Sequence, residues 1–151
     1  MIHLVAITGP EGQIGIGGAV PWVGNDACME LAAEFSSKVF AEATDGIWVC
    51  GCNTAPTLQS LIRQTGIRAR LAIYSDPHQP IELVEGLQKH WPGRDIWVMG
   101  GAKTFQDFMP LVDRHHILVV PYDGPADCYL APILPAWQIE GENIKRTAYR
   151  A

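Results

Sequence analysis

Apolar and polar positions follow one another along the chain in blocks that predict strands and helices in regular succession. Short apolar runs predict buried strands, and longer stretches with apolar residues three or four positions apart predict helices between them. The strands are predicted over 2–8, 47–50, 68–75, 96–99 and 116–120, and the helices over 27–43, 54–62, 81–90 and 102–109. Strands that alternate with helices form a largely parallel sheet covered on both faces. The sequence therefore predicts a single α/β domain over residues 1–151, with three layers and a mixed, mostly parallel sheet.

The last segment of the chain, 121–151, does not continue this alternation. Pro, Gly and Asp interrupt it, and the pattern predicts only a hairpin made of 137–139 and 143–149. Segment 9–18 is also irregular and holds five glycines. No glycine triplet in it has the G-x-G-x-x-G spacing of a dinucleotide loop. We predict instead a long mobile loop that closes over a site, with Ile14 and Ile16 as its apolar anchors.

Ligands of parallel α/β sheets bind beyond the carboxyl ends of the strands, and four loops fall at that edge. They are 9–18, 51–54, 75–76 and 100–101. The glycine pair Gly100-Gly101 stands between a buried strand and a helix. Without Cβ atoms it allows a backbone or a phosphate to come into contact, and the helix start offers N–H groups to an anion. A cofactor pyrophosphate would fit there, although an ordinary tight turn has the same pattern.

Composition excludes several classes of protein. The chain has 151 residues, of which 48% are apolar and 18% charged, and its formal charge is -5 with a pI near 5.4. These values are typical of a globular protein and do not match a nucleic-acid footprint. Residues 2–7 are apolar, but the run is too short for a signal peptide core, so we expect a cytoplasmic protein without a membrane segment. The oligomeric state stays open.

The cysteines and histidines give no metal pattern. Cys28, Cys50, Cys52 and Cys128 form neither a disulfide framework nor paired zinc knuckles. Cys50-Gly-Cys52 invites a metal or redox role, but Cys50 continues an apolar strand and is expected to pack as a small hydrophobe. His115 and His116 are adjacent on a strand, so they point to opposite faces and chelate poorly.

Two carboxylates stand at the start of the first long helix. Asn25-Asp26 supplies cap chemistry, so Asp26 is either an N-cap alone or an acid at the mouth of a site. Glu30 lies one turn later on the same side, where a solvated surface residue is the ordinary expectation.

Taken in this order, the motifs resemble the dihydrofolate reductase family over about the first 135 residues. The first strand with Ala6, followed by Ile14-Gly15 and Pro21-Trp22, is similar to that family's first strand and substrate-covering loop. The double-glycine segment Val98–Phe105 is the strongest match. Further matches are Asp26 near the family's active-site acid, Val49–Gly51 with Thr54, Arg68–Ser75, Phe108, Pro110, and Asp127 with Leu130.

This resemblance implies an oxidoreductase that transfers a hydride from a reduced nicotinamide dinucleotide, NADPH or alternatively NADH, to a 7,8-dihydropterin. Asp26 would hold the pterin through paired hydrogen bonds from a buried position and assist its protonation, because a carboxylate offers two coplanar acceptors. Trp22 would exclude water. The substrate side would also include Val5, Ala6, Glu30, Arg68 and Met99. The cofactor side would consist of Ala6, Ile14, Gly15, Gly51, Cys52, Asn53, Thr54, Ser75, Asp76, Met99, Gly100, Gly101, Ala102, Lys103, Thr104 and Phe105.

The chain departs from the family pattern mainly around the substrate. The loop between Trp22 and Asp26 is one residue short, so the acid is expected to enter at an altered angle. Glu30 takes a position that is usually aromatic, and Leu118 replaces a polar threonine. Cys52 replaces the basic residue that meets the cofactor's 2′-phosphate, and Asp76 follows Ser75. Arg68, Arg70 or Lys103 would then have to compensate.

The substrate is accordingly predicted as dihydrofolate or as dihydromethanopterin, the substrate of a bacterial branch that serves one-carbon metabolism through tetrahydromethanopterin in methylotrophs. Arg68 favours a carboxylate-bearing substrate, unless it is only a solvent-facing charge at a strand end. Two alternatives remain. One is a pyrimidine reductase of riboflavin synthesis, which would need a more basic phosphate site. The other is a dinucleotide- or antifolate-binding module that has lost catalysis.

Overall fold

The fold consists of a mixed sheet with helices on both faces, as the sequence predicts. The computed structural model describes residues 1–75, 78–133, 136–141 and 145–150. The strands are β1 (Ile2–Thr8), β2 (Gln13–Gly15), β3 (Ile47–Cys50), β4 (Arg70–Ile73), β5 (Ile96–Gly100), β6 (Arg114–Val119), β7 (Cys128–Tyr129), β8 (Trp137–Glu140) and β9 (Lys145–Arg150). The helices are α1 (Asp26–Glu42), α2 (Ala55–Thr65), α3 (Pro80–His90) and α4 (Ala102–Phe108), and a 3-10 turn (Met109–Leu111) follows α4.

Seven strands form the main sheet in the order β4-β3-β5-β1-β6-β9-β8. The first five strands in this order, from β4 to β6, pair in parallel. Strand β9 runs antiparallel to β6, and β8 runs antiparallel to β9. A parallel arrangement brings the carboxyl ends of β3, β4 and β5 to one edge, where the loops into α2 and α4 begin. The mixed, mostly parallel sheet is therefore confirmed, and the closing hairpin is confirmed for the described residues of its two strands.

The side chains of the sheet alternate between two cores. On one face, α3 and α4 cover a cluster that includes Leu4 and Ala6 of β1. On the other face, α1 and α2 cover a cluster that includes Trp48 and Trp97, with the partly buried Val5 packed against it. Because successive strand residues point to opposite faces, any site residue on a strand belongs to one of these two cores.

Three details differ from the prediction. Helix α2 continues three residues beyond the predicted end at Ile62, until Gly66 stops it in a left-handed conformation with φ of 69°. The strand predicted over 68–75 is confined to β4. The irregular loop predicted over 9–18 contains β2, which pairs antiparallel with β7. A three-residue strand with a partner more than a hundred residues away leaves no local pattern to detect.

A buried polar network lies on the α1 and α2 side of the sheet. His3 Nδ1 is 2.9 Å from His116 Nε2, and His3 Nε2 is 3.0 Å from Asp95 Oδ2. The Trp97 ring stacks on the His3 ring at 3.9 Å between centroids. Burial lowers the pKa of His3 below its ordinary value, although the hydrogen bond with Asp95 acts in the opposite direction. This network holds the amino ends of β1 and β5 and the middle of β6 together.

His115 lies on the opposite face from His116, which confirms the predicted orientation. Its side chain is fully buried against the Trp137 ring, and among the described residues neither ring nitrogen has a hydrogen-bond partner. Burial, with a smaller effect from the charge of Arg150, lowers the pKa of His115 to about 4. The imidazole is consequently neutral at physiological pH.

Candidate active site

The loops after β3 and β5 are joined directly by their backbones. The amide of Gly51 donates to the carbonyl of Gly100 at 2.9 Å, which continues the pairing of the two strands past their ends. The amide of Ala55 then bonds the Gly51 carbonyl at 3.1 Å, and the amide of Phe105 bonds the Gly101 carbonyl at 2.9 Å. As a result α2 and α4 begin side by side at one edge of the sheet.

Glycine is required at this edge for two physical reasons. Gly100 has φ of +140°, a conformation that residues with a side chain rarely adopt, and its peptide bond to Gly101 is cis. A Cβ atom on Gly51 would lie 3.2 Å from Thr104 Oγ1, closer than ordinary contact. Cβ atoms on Gly100 and Gly101 would lie 3.6 and 3.9 Å from Thr54 Oγ1 and would narrow the space between the helix starts. The glycines thus keep a cleft open.

That cleft is a cavity of about 260 Å³. It is lined by Gly51, Cys52, Asn53, Thr54, Tyr74, Ser75, Gly101, Ala102, Lys103 and Thr104. Nine of these ten residues are ones that the family resemblance assigns to the cofactor. The structure therefore brings together three stretches of the chain, at the ends of β3, β4 and β5, that are far apart in sequence.

Tyr74 is the lining residue that the sequence analysis missed. Its hydroxyl donates to Asp107 Oδ2 at 2.7 Å, and its ring packs edge-on against Phe108 at 4.9 Å between centroids. Both contacts are with α4. Its position directly before Ser75, at the end of the strand predicted over 68–75, is the sequence signal from which it was predictable.

The residues of this cavity fit a diphosphate. A phosphate that lies against backbone needs positions without side chains, and Gly51 and Gly101 provide them. Thr54 and Thr104 add hydroxyl groups. Helix α4 has seven residues only, so its dipole adds little and the fit depends on the glycine backbone. The cavity is smaller than the about 300 to 1,000 Å³ of pockets that enclose a drug-sized ligand, so it would hold one part of a dinucleotide.

Most of the polar groups that line the cavity are uncharged. Cys52, Asn53 and Ser75 stand at the ends of β3 and β4, and Lys103 is the cation among the described lining residues. Asp76, which was also predicted here, lies outside the described residues. Arg68 and Arg70 are exposed at the amino end of β4, which is the opposite edge of the sheet from this cavity.

Six of the described residues predicted for the cofactor do not line this cavity. Gly100 stands directly behind it, and the Phe105 ring packs near Gly100 in the core under α3 and α4. Ala6 is buried in that same core, so only its backbone is available on the other face. Ile14 packs against that core too, and Gly15 belongs to β2. Met99, the last of the predicted cofactor residues outside the cavity, is half-buried against the core under α1 and α2.

The glycine-rich loop is fastened to the segment that carries β7. Gly17 donates its amide to Asp127 Oδ2 at 2.9 Å, and the amide of Asp127 bonds the Gly15 carbonyl at 2.9 Å. The buried side chain of Gln13 accepts from the amide of Glu11 at 2.8 Å and donates to the carbonyl of Tyr122 at 3.4 Å. This loop is therefore held by specific polar contacts and by Ile14, which packs against the core. Ile16 is exposed, so the expectation that it also anchors the loop is wrong.

Two of the three predicted substrate residues that lie on strands, Val5 and Met99, lie on the face that α1 covers, where both are half-buried. The third, Ala6, is buried in the core on the other face. Trp22 is only 2% exposed, and its ring packs edge-on against Tyr122 at 6.1 Å between centroids. The side chains of Val5, Met99 and Trp22 form an apolar surface between α1 and the ends of β1 and β5.

The predicted acid does not face that surface. Asn25 is the N-cap of α1 and accepts from the amide of Cys28, so Asp26 is the first helical residue and not the cap. Asp26 and Glu30 are both exposed. Helix geometry places them roughly half a turn around from the buried stripe of α1, formed by Cys28, Phe35 and Val39. The expectation of a buried Asp26 is therefore wrong, whereas the altered angle expected from the short loop agrees with this placement.

A larger cavity of about 750 Å³ lies elsewhere and contains none of the predicted site residues. It is bounded by Ile117 and Val119 of β6, by 8–12, by 130–133, and by Ile139 and Arg146. Size alone would favour it as a binding site, but its walls are mostly apolar. The smaller cavity combines open backbone, hydroxyls and a lysine, and we consider it the better candidate for the cofactor.

The cysteine interpretation agrees with the structure. Cys50 is buried, and burial, followed by the neighbouring Cys52, raises its pKa to about 11. Cys52 is exposed. Within the described ranges, no three His, Cys, Asp or Glu side chains are grouped in a way that could hold a metal ion. None of the helices described is both long and apolar enough to cross a membrane.

Comparison with known proteins gives one distant relationship along nearly the whole chain. No protein-family model matches the sequence. The chain is 26% identical over 140 residues to a Methylorubrum extorquens protein named dihydromethanopterin reductase, and the match covers 93% of this chain and 95% of that protein.

Proposed function

We propose that this protein is an oxidoreductase that reduces a 7,8-dihydropterin, dihydrofolate or dihydromethanopterin, to the tetrahydropterin with a reduced nicotinamide dinucleotide, NADPH or NADH. The observation that carries the proposal is the glycine-lined cavity between the starts of α2 and α4. The distant relative, whose name describes a dihydromethanopterin reductase, supports pterin reduction in general.

On the cofactor side, the chain supplies shape and hydrogen-bond donors. Gly51, Gly100 and Gly101 let the diphosphate approach the backbone, and Thr54 and Thr104 add hydroxyl groups at the same place. Lys103 contributes positive charge from the first turn of α4. The bound dinucleotide would supply the hydride. These residues bind and orient it, which lowers the barrier by positioning and not by chemistry of their own.

On the substrate side, Val5, Met99 and Trp22 provide an apolar surface that would exclude water from a flat ring. Asp26 is the acid that we propose for proton supply, because it follows the Pro21-Trp22 turn at the start of α1. Arg68 stands at the amino edge of β4, where it would meet a carboxylate on the far end of a substrate.

A turnover assay tests this proposal. The purified protein is mixed with NADPH or NADH and, in separate reactions, with dihydrofolate or dihydromethanopterin, and loss of the reduced nicotinamide absorbance is followed together with formation of the tetrahydropterin. We expect stoichiometric oxidation with at least one of the four pairs. Absence of turnover with all four pairs by a folded protein would contradict the proposal.

The exposure of Asp26 and Glu30 favours a second candidate, a dinucleotide-binding module that does not reduce pterins. In that case the cavity would bind either dinucleotide while none of the pterins is reduced. Calorimetric titration with NADPH and NADH, carried out on the same preparation as the turnover assay, separates the two functions. Binding with turnover supports the reductase, and binding without turnover supports the module.

A further inference from the structure

We propose that the cavity accepts a nucleotide whose adenosine ribose carries a free 2′-hydroxyl, so that the protein binds NADH at least as tightly as NADPH. This inference rests on the proposed function, in which the cavity between α2 and α4 holds the dinucleotide. It concerns the part of the cavity at the ends of β3 and β4, away from the glycine pair. We call this part the ribose rim and define it by Cys52, Asn53 and Ser75.

The ribose rim follows from the topology of the sheet. In parallel sheets that bind dinucleotides, the residue that meets the adenosine ribose follows a strand next to the one whose loop holds the diphosphate. Here Gly51, Gly100 and Gly101 form a glycine cradle that joins the ends of β5 and β3. Strand β4 is the next strand outward from β3. Ser75 follows β4, and Cys52 follows β3, so these two residues are placed to meet the ribose.

The rim side chains include no lysine or arginine. A sugar 2′-phosphate carries a charge of about -1.5 to -2 near neutral pH, and sites that select it place arginine beside it. The described group beside Ser75 is the His78 imidazole, whose Nδ1 lies 2.8 Å from the Ser75 carbonyl oxygen and is engaged in that hydrogen bond. The chain as a whole carries a formal charge of -5. The hydroxyl of Ser75 and the amide of Asn53 are suited to exchange hydrogen bonds with a neutral ribose hydroxyl.

The two arginines that would compensate are at the wrong edge of the sheet. Arg70 is the first residue of β4 and pairs with Ile47, the first residue of β3. Five residues of extended chain separate Arg70 from Ser75, a distance of roughly 16 Å, and Arg68 lies farther still. An arginine side chain does not span that distance along the outer strand of the sheet. Both arginines are therefore excluded as partners of a group at the ribose rim.

Lys103 does not distinguish the two dinucleotides either. It lies in the first turn of α4, two residues after Gly101, and belongs to the half of the cavity that is formed by the glycine cradle. Its charge acts on the diphosphate, which NADH and NADPH share. A lysine in this position raises the affinity for both ligands and leaves their ratio unchanged.

Binding of two nucleotide fragments tests the inference without any hydride transfer. ADP-ribose and 2′-phospho-ADP-ribose differ only in the phosphate in question, and calorimetry gives the affinity of each for the full chain. We expect wild type to bind ADP-ribose at least as tightly as its phosphorylated counterpart. Cys52→Arg should tighten the phosphorylated fragment by about tenfold to a hundredfold, because the guanidinium would form charge-assisted hydrogen bonds with the 2′-phosphate. Its effect on ADP-ribose should stay within about threefold.

Control variants separate the effect of a positive charge at the ribose rim from the effect of a positive charge elsewhere on the protein. Gln64→Arg adds the same charge on the exposed last turn of α2, about 15 Å along the helix from the cavity, and should change neither affinity appreciably. Arg70→Gln should leave the ratio of the two affinities unchanged. Asn53→Arg is a second rim variant in case Cys52→Arg unfolds, and circular dichroism checks the fold of each. Equal tightening by Gln64→Arg and Cys52→Arg would contradict the role of the rim.

The outcomes distinguish this inference from the proposed function. If wild type binds the phosphorylated fragment more tightly, or if Arg70→Gln weakens that fragment alone, the inference is wrong while the dinucleotide site stands. If neither fragment binds to the folded protein, the dinucleotide site and the inference are both wrong. Preference for ADP-ribose, converted to preference for the phosphorylated fragment by a rim arginine, supports both.

Discussion

The candidate site has a cofactor half, which is the glycine-lined cavity, and an acid half, which is the start of α1 with Asp26. The sequence predicts the first half better than the second. On the cofactor side, three distant loops meet in one cavity, and nine of its ten lining residues were predicted. On the acid side, Asp26 and Glu30 are present where the family pattern leads one to look for them, but both are exposed on the outer side of α1. Residue identity alone was sufficient for the first half and insufficient for the second.

The difference has a geometric cause. The cradle is made of backbone, and its position follows once β3 and β5 pair in parallel and end at the same edge. The acid acts through a side chain on a helix, where each residue turns the direction by about 100°. On α1 that direction takes Asp26 and Glu30 away from the buried stripe. The rotation of a helix about its axis therefore decides where a carboxylate points, while the fold is the same.

The largest expected effect comes from Asp26→Asn, which tests whether the acid half functions at all. If Asp26 supplies the proton, kcat for the dihydropterin should fall by about a hundredfold to ten-thousandfold, the usual contribution of a general acid. Affinity for the dinucleotide should not change. Steady-state kinetics and calorimetry on the same preparation measure the two. Unchanged kcat would remove Asp26 from the mechanism and leave the cofactor half as the sole functional region.

Both halves depend on the same sheet, so the second prediction concerns the pH range in which the sheet is stable. The pKa of His115 is about 4 in the folded protein and 6.5 in an unfolded chain, so only the unfolded form gains a proton as pH falls from 6.5 to 4. The free energy of unfolding should therefore decrease by about 3 kcal/mol over that range from this residue alone. The lowered pKa of His3 acts in the same direction.

His115→Phe should remove the part of this acid sensitivity that belongs to His115. Phenylalanine keeps a ring against Trp137 and has no ring nitrogens to leave without partners. Urea unfolding of wild type and variant at pH 7.5 and at about pH 4 gives the comparison, with His90→Phe on the exposed end of α3 as the control. An equal loss of stability in His115→Phe and wild type would show that another group causes it.

A smaller effect is expected from Gly100→Ala, which tests the cofactor half. The φ of +140° at this position disfavours any side chain, so the variant should lose about 1–3 kcal/mol of stability or shift its backbone. In either case affinity for ADP-ribose should fall by roughly tenfold, because the backbone behind the cavity moves. Gly86→Ala is the matched control, since Gly86 is exposed in α3 with open space around it. It should leave affinity unchanged and should stabilise the helix by up to about 1 kcal/mol.

The smallest effect is expected from Glu30→Gln. Glu30 is exposed one turn after Asp26 and has no hydrogen-bond or ion-pair partner among the described residues, so kcat and KM should each change by less than about twofold. The kinetic assay used for Asp26→Asn measures this as well. A fall in kcat comparable to that of Asp26→Asn would mean that Glu30 takes part in proton supply and that the outer side of α1 faces the substrate.

The fold was predictable because its signals are local. Apolar runs located β3 and β5, helical spacing located α1 and α3, and their alternation implied a parallel sheet. The short β2 and β7 were not predictable, because β2 is a three-residue strand in a glycine-rich loop and its partner lies far along the chain. The same limit applies to the network of His3, His116 and Asp95, which lie on β1, on β6 and directly before β5 and meet only after the sheet has formed.

The candidate site divides along the same line. Glycines and hydroxyl residues that follow strand ends are visible in the sequence, and the topology then decides that they are neighbours. The place of Tyr74 directly before Ser75 is visible in the same way, whereas its hydrogen bond to Asp107 is not, because no spacing rule relates the two residues. Burial of a helix side chain depends on rotation about the helix axis, and the identity of Asp26 does not report that rotation.

The hydrogen bond from the Tyr74 hydroxyl to Asp107 connects the end of β4 to α4, which lies on the other side of the cavity. The two walls are consequently fastened at the end remote from the glycines, and their separation is set by the protein interior before any ligand arrives. A ligand that binds in this cavity does not have to order its walls, so the protein loses little conformational entropy on binding. Selectivity in such a rigid cavity arises from what lines its mouth, which a substitution at a single exposed position is able to change.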